Sequence, residues 1–136
     1  MITKMHHDDA FWFNATGSNA YDQTIVPAKR RRVITISGSA DPVILYTGGS
    51  GVGTTFMDAQ ESIYRFAQAM GAPLADAAGI VGTGTNGHSA PFVKYTYRSG
   101  QVIHYKLIGG DHGLRVSGST VYADEAKQLV AVFLLQ

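Results

Sequence analysis

Cysteine is absent from the 136-residue chain. That excludes disulfides, thiolate metal sites and a cysteine nucleophile together. Glutamate is almost missing: eight of the ten acidic residues are Asp, and only Glu61 and Glu125 are Glu. A chain with little Glu and 11 Lys plus Arg is poorly equipped for a bundle of long helices. Net charge is nearly absent too, at +1, so the whole-chain field does not attract nucleic acid, and no nucleic-acid partner is expected. No apolar run approaches the roughly 20 residues of a membrane helix, so no membrane partner is expected either. The first nine residues, Met1 to Asp9, are too polar for a signal peptide. A chain expressed as this frame is therefore expected to stay in the cytoplasm. What the chain does have is glycine, 16 residues against the roughly 7% of an average protein, and enough apolar residues for one core. Short strands joined by tight turns in a single domain spanning 1–136 fit that composition.

The first strand candidate is Ala10–Ala15, rich in aromatics and closed by Gly17-Ser18-Asn19. A polar connection ends in the basic run Lys29-Arg30-Arg31-Arg32, which lacks aromatic interleaving and reads as a solvated approach to a strand. Val33-Ile34-Thr35-Ile36 is apolar without alternation, the pattern of a strand buried on both faces. Gly48–Gly53 precedes a helix but carries no Gly-Lys-Ser/Thr and follows no strand, which argues against a phosphate loop. In that helix Ala59, Ile63, Phe66, Ala67 and Met70 recur at helical spacing. Thr55 is placed to cap it with Asp58 completing a capping box, and Gly71 and Pro73 stop it. Residues 75–91 read as a long loop. Phe92–Arg98 and Gln101–Ile108 read as a hairpin with the two-residue turn Ser99-Gly100. A final helix is expected from about Ala123 to Leu135, with Ala126, Leu129, Val130 and Phe133 inward. The order strand, strand, helix, hairpin, helix makes the fold class α/β, with a parallel sheet covered by helices.

Two polar residues fall in loops just past strand ends, where open α/β sheets place their chemistry: Asp41 after Val33–Ile36, and His112 after the strand ending at Ile108. A carboxylate that holds an imidazole tautomer makes the imidazole a directed base, so the two are expected within hydrogen-bond reach. His6, His7, Asp8 and Asp9 are a competing constellation, four nitrogen and oxygen ligands in one stretch for a divalent metal, which Asp111 and His112 would extend into a metal-dependent hydrolase. His88 and His104 have no evident partner, and His104 reads as a sheet-face residue.

The segment Ile36-Ser37-Gly38-Ser39-Ala40-Asp41-Pro42-Val43-Ile44-Leu45-Tyr46-Thr47-Gly48-Gly49 resembles the acid segment of α/β-hydrolase esterases of the polyhydroxybutyrate depolymerase and feruloyl esterase type. There a strand is followed by Gly-Thr-Ala-Asp-Pro-Val-Val-Pro-Tyr and a glycine pair. Glu61 to Gly71 is similar to the helix that follows in that family. Val102–Ile108 with Gly109-Gly110-Asp111-His112-Gly113 resembles its last strand and histidine loop, and Phe11–Gly17 sits where the family has the strand before the acid strand. The resemblance implies a partial α/β-hydrolase sheet, three parallel strands plus a hairpin arm, with helices. It also implies a hydrolase of carboxylic esters or lactones, a small-molecule ester or lactone as substrate, Asp41 and His112 as catalytic residues, and no cofactor. Leu45 and Asp111 depart from the family's Pro and Gly. The Gly-x-Ser-x-Gly nucleophile elbow is absent: in the order Ser, acid, His it would precede Phe11, and the ten residues there hold no serine. Ser50 fails the pattern because position 52 is Val. An acid and a histidine without their serine leave open a hydrolase with another nucleophile, the metal-dependent hydrolase above, or a non-catalytic remnant that self-associates. Exposed Phe11, Trp12 and Phe13 at a sheet edge lead us to expect a homodimer.

Overall fold

The computed structural model describes residues 2–4, 32–51, 54–72, 80–85 and 88–136. Seven strands and two α-helices are present among them: β1 Ile2–Lys4, β2 Val33–Gly38, β3 Gly49–Gly51, β4 Thr54–Phe56, α1 Ala59–Ala69, β5 Ile80–Thr85, β6 His88–Tyr97, β7 Val102–Leu107 and α2 Val121–Leu135. Five strands form one sheet in the order β1-β2-β7-β6-β5, and β3 with β4 forms a separate small ribbon. The class is mixed α and β, but the sheet is not the three-parallel-strand frame that the resemblance implies. Among the described residues the one parallel pair is β2 with β7; β1–β2, β6–β7 and β5–β6 are antiparallel. The edge of β2 away from β7 is occupied by Ile2–Lys4 running antiparallel. The strand expected over Ala10–Ala15, and with it the aromatic edge behind the expected homodimer, lies outside the described residues.

The unalternating β2 sequence has a direct structural cause. Ile34 and Ile36 join Ile103, Tyr105 and Leu107 of β7 in a core closed by Ala126, Leu129 and Phe133 of α2. Val33 and Val102 point to the opposite face and pack with Ile63, Phe66 and Ala67 of α1 and with its C-cap Met70. Both strands of the parallel pair are therefore sandwiched between helices, which is why each is mostly apolar on both sides, and the polar pair buried among them, Thr35 and His104, is hydrogen-bonded. Arg32, the last member of the basic run, lays its guanidinium 4.3 Å from the Phe133 ring centroid, so it covers the α2 core.

Local chemistry sets the helix ends. Asp58 caps α1, its carboxylate accepting from Glu61 N–H at 2.9 Å, and Asp58-x-x-Glu61 is itself a capping sequence. Thr55, expected to cap, lies instead in β4. At the other end Gly71 takes φ +86°, and the pair Gly71 N–H to Gln68 O (2.8 Å) and Ala72 N–H to Ala67 O (2.9 Å) closes a Schellman motif.

Two further expectations are corrected. Residues 75–91 are not one long loop: Ile80–Thr85 and His88–Tyr97 pair as antiparallel strands. Their Gly and Ala content has low strand propensity, and pairing with the well-anchored β6–β7 hairpin overrides it. Pro91, which has no N–H to give, falls where the β5–β6 register shifts between Thr83 and Thr85. The hairpin turn is also longer than Ser99-Gly100. Pairing ends at Tyr97 opposite Val102, and Arg98, Ser99 and Gly100 all take positive φ (50°, 54° and 87°) within a four-residue connection.

Candidate functional site

The site is built where β2 and β7 end side by side. Main-chain bonds carry the parallel ladder into the loops beyond: Ser39 N–H donates to Leu107 O (2.8 Å) and Ala40 N–H to Gly110 O (2.9 Å). The Ser39 hydroxyl accepts from Gly109 N–H at 2.8 Å, a third link between the loops. Gly38 and Gly110 permit this approach. A Cβ on Gly38 would lie 2.2 Å from Gly110 O, and one on Gly110 would lie 2.6 Å from Leu107 Cδ2. No side chain fits between the two backbones.

These links bring Asp41 and His112 together, with Asp41 Oδ2 2.9 Å from His112 Nδ1. The two side chains differ in exposure: Asp41 is 6% accessible and His112 49%. Asp41 Oδ1 is occupied by Val43 N–H (2.8 Å) and Ile44 N–H (2.9 Å), so the acid is locked in the turn that its own loop makes. Burial pushes the Asp41 pKa up, but the hydrogen bonds from Ile44 N–H, His112 and Val43 N–H, with the charge on His112, outweigh it and hold the carboxyl below its ordinary value. An ionised carboxylate only accepts, so the proton between the pair sits on Nδ1, and the tautomer this selects carries its lone pair on Nε2. No described residue hydrogen-bonds Nε2.

The loop bearing His112 is held from below and from the side. Leu114 is buried in the α2 core with φ +57°. Asp111 Oδ1 accepts from Gly113 N–H (2.8 Å) and Arg115 N–H (2.9 Å), while Oδ2 meets Arg115 Nε at 2.9 Å. The acid loop has its own anchor. The Tyr46 hydroxyl lies 2.8 Å from His104 Nε2, and Thr35 Oγ1 lies 2.8 Å from His104 Nδ1. His104 is fully buried, and desolvation, with the Lys106 charge, pushes its pKa down to about 3. It is thus a neutral core imidazole with both nitrogens satisfied. Lys106 Nζ stands 4.5 Å from the Tyr46 ring centroid.

Sequence reading selects Asp41 and His112, and the fold sets them side by side. It misses the partners of His104, although a signal exists: Thr35 and His104 are the polar residues at the middle of two apolar strands, and they are register partners. It reads Asp111 as a departure from the family's glycine and as an added metal ligand, whereas Asp111 organises the whole turn. His6, His7, Asp8 and Asp9 lie outside the described residues. Among the described residues no three His, Asp or Glu side chains gather as a metal-holding group, and no helix is long and apolar enough to cross a membrane. Gly48–Gly53 contributes Gly49–Gly51 to the small ribbon with Thr54–Phe56. Comparison with protein-family models, with curated proteins and with solved structures returned no match.

Proposed function

We propose that this chain hydrolyses carboxylic esters or lactones, with His112 as general base and Asp41 as the residue that orients it. The observation that carries the reading is the 2.9 Å contact between a buried, fully bonded carboxylate and Nδ1 of a half-exposed imidazole whose Nε2 has no partner among the described residues. Support also comes from the topology. The acid follows one strand of a parallel pair and the histidine follows its neighbour, in the chain order acid then histidine found in α/β-hydrolases. On this reading the described frame corresponds to the acid-strand and histidine-strand part of such a sheet.

In the reaction Nε2 takes a proton from a nucleophile O–H, and the oxygen bonds to the ester carbonyl carbon. The resulting imidazolium is stabilised by Asp41. Collapse of the tetrahedral adduct breaks the bond to the leaving oxygen, which takes the proton back from Nε2 as alcohol. Water as nucleophile gives acid and alcohol in one cycle; a serine hydroxyl gives an acyl-enzyme that a second cycle hydrolyses. The same base serves both. The test is hydrolysis of p-nitrophenyl acetate and of a strained lactone by the wild type and His112→Ala. Loss of about 100-fold in kcat/KM is expected for the variant, the usual size of a general-base contribution. Equal rates would remove His112 from the chemistry. Labelling with a fluorophosphonate separates a serine hydroxyl from water.

A further inference from the structure

The turn 111–115 has more internal order than a connection between a strand and a helix requires. One carboxylate, that of Asp111, takes three bonds: from Gly113 N–H, from Arg115 N–H and from Arg115 Nε. The main chain closes the same turn twice more, Asp111 N–H to Arg115 O at 2.9 Å and Leu114 N–H to Asp111 O at 3.0 Å. Leu114 then plugs the turn into the α2 core. The guanidinium lies close over the residue after His112: a Cβ on Gly113 would meet Arg115 Nε at 3.2 Å and Cζ at 3.6 Å. Exposed Asp–Arg pairs add little to stability. A pair that ties a carboxylate to three donors around one intervening histidine has a different consequence. It fixes the φ and ψ of the residue it encloses.

We propose that Asp111, braced by Arg115, is the positioning residue for His112. It holds the imidazole against Asp41 so that the proton stays on Nδ1 and the lone pair stays on Nε2. The proposal rests on reading Asp41–His112 as the proton-transfer pair. Half of the His112 side chain is in solvent, so packing does not hold the ring. One hydrogen bond to Asp41 orients the ring well only when the main chain beneath it is fixed, and the Asp111 carboxylate supplies that fixity. In the esterases that the chain resembles this position is glycine, so the clamp is a feature of this chain's own residues.

The experiment has a spectroscopic arm independent of turnover. Long-range 1H–15N spectra of uniformly labelled protein report the tautomer of each imidazole, with His112 assigned by its loss in His112→Ala. The wild type is expected to show His112 as the Nδ1–H form, with the amides of Gly113 and Arg115 protected from exchange although both residues are exposed. Asp111→Ala should shift His112 to the tautomer mixture of a free imidazole and lower kcat on p-nitrophenyl acetate about tenfold, with KM little changed. Asp111→Asn retains an acceptor for the two amides and should restore the Nδ1–H form and most of kcat. The buried His104 resonances, unchanged in both variants, certify the fold. An Asp111→Ala protein with intact His104 signals, wild-type tautomer and wild-type kcat overturns the proposal. So do unprotected Gly113 and Arg115 amides in the wild type, a result that needs no variant to fold. If the wild type hydrolyses nothing but the tautomer responds to Asp111 as described, the proposed function fails and the positioning role stands.

Discussion

Thr35 and His104 face each other across the one parallel strand pair described, with Oγ1 2.8 Å from Nδ1, and the Tyr46 hydroxyl closes the other ring nitrogen at the same distance. The bonds join β2, β7 and the acid loop through one buried ring. Removing either partner leaves a buried imidazole nitrogen without its bond, at a cost of about 1–3 kcal/mol. Tyr46→Phe and Thr35→Val should each lower the urea midpoint by the equivalent of that range. Tyr46→Phe should in addition loosen the loop that carries Asp41, read as faster amide exchange at Val43 and Ile44. A Tyr46→Phe midpoint equal to wild type would show that the hydroxyl contributes nothing.

Acid should unfold the protein earlier than its carboxylates alone require. His104 is neutral in the fold with its pKa pushed down to about 3, against about 6.5 in an unfolded chain. A depressed folded pKa gives stability that is complete above the unfolded value and is lost as pH falls toward the folded one. The loss from His104 therefore begins near pH 6.5 and reaches about 2 kcal/mol by pH 5. Asp41, also held below its ordinary value, adds its loss at lower pH, below about 4. Urea midpoints measured from pH 7.5 to 4.5 should be nearly level above pH 6.5 and decline below it, with most of that decline absent in His104→Gln. A flat wild-type profile over that range would refute the assignment of a neutral buried imidazole.

Gly38→Ala should be among the most damaging single-methyl changes in the chain. Its Cβ would meet the main-chain oxygen of Gly110 at 2.2 Å, and a backbone atom has no rotamer by which to move aside. Separating the strand ends costs about 3 kcal/mol by overpacking, and hydrolytic activity should fall with it because Asp41 and His112 part. The thermal midpoint and the p-nitrophenyl acetate rate are the measurements. A variant that melts within about 2 °C of wild type would mean that the strand ends yield cheaply.

Asp41→Asn separates orientation from folding. The amide oxygen still accepts from Val43 and Ile44, so the loop turn should survive and the melt should change little. The partner offered to Nδ1 becomes an amide, which lacks the charge that stabilises imidazolium and whose NH2 face favours the opposite tautomer. Hydrolysis should drop by about 100-fold or more with KM nearly constant. Wild-type turnover in Asp41→Asn would detach the acid from the chemistry even if His112 proved essential.

The frame that carries these residues is readable in the sequence where periodicity and chemistry agree. Val33–Ile36 lacks alternation because helices cover both faces, and Ala59–Ala69 and the last helix show their buried residues at helical spacing. The proximity of Asp41 and His112 follows from their equivalent places beyond adjacent strands. What stays illegible is decided by distant partners. Residues 80–85 and 88–90 have the composition of a loop and become strands because β6 continues into a well-packed hairpin with β7. Thr35 as a partner for His104 is visible only once the parallel register is known. The parallel frame itself is overread, since a doubly buried strand does not reveal which way its second neighbour runs, and Ile2–Lys4 runs antiparallel.

The contact of Gly38 with Gly110 also bears on motion. Where two loops meet through side chains, rotamer changes let them drift apart and return. Here the closest approach of the acid loop to the histidine loop is main chain on main chain, with Ala40 N–H on Gly110 O and no Cβ between Gly38 and Gly110, and the Ser39 hydroxyl adds a link to Gly109 N–H. Thermal breathing at this end of the sheet then tends to carry both loops together, because parting them breaks the Ser39 and Ala40 main-chain bonds that continue the ladder. The spacing of the two loop backbones is therefore set at Gly38 and Gly110, so substitutions at side chains outside the Ser39, Asp41 and Asp111 contacts can reshape what binds over His112 while that spacing keeps its value.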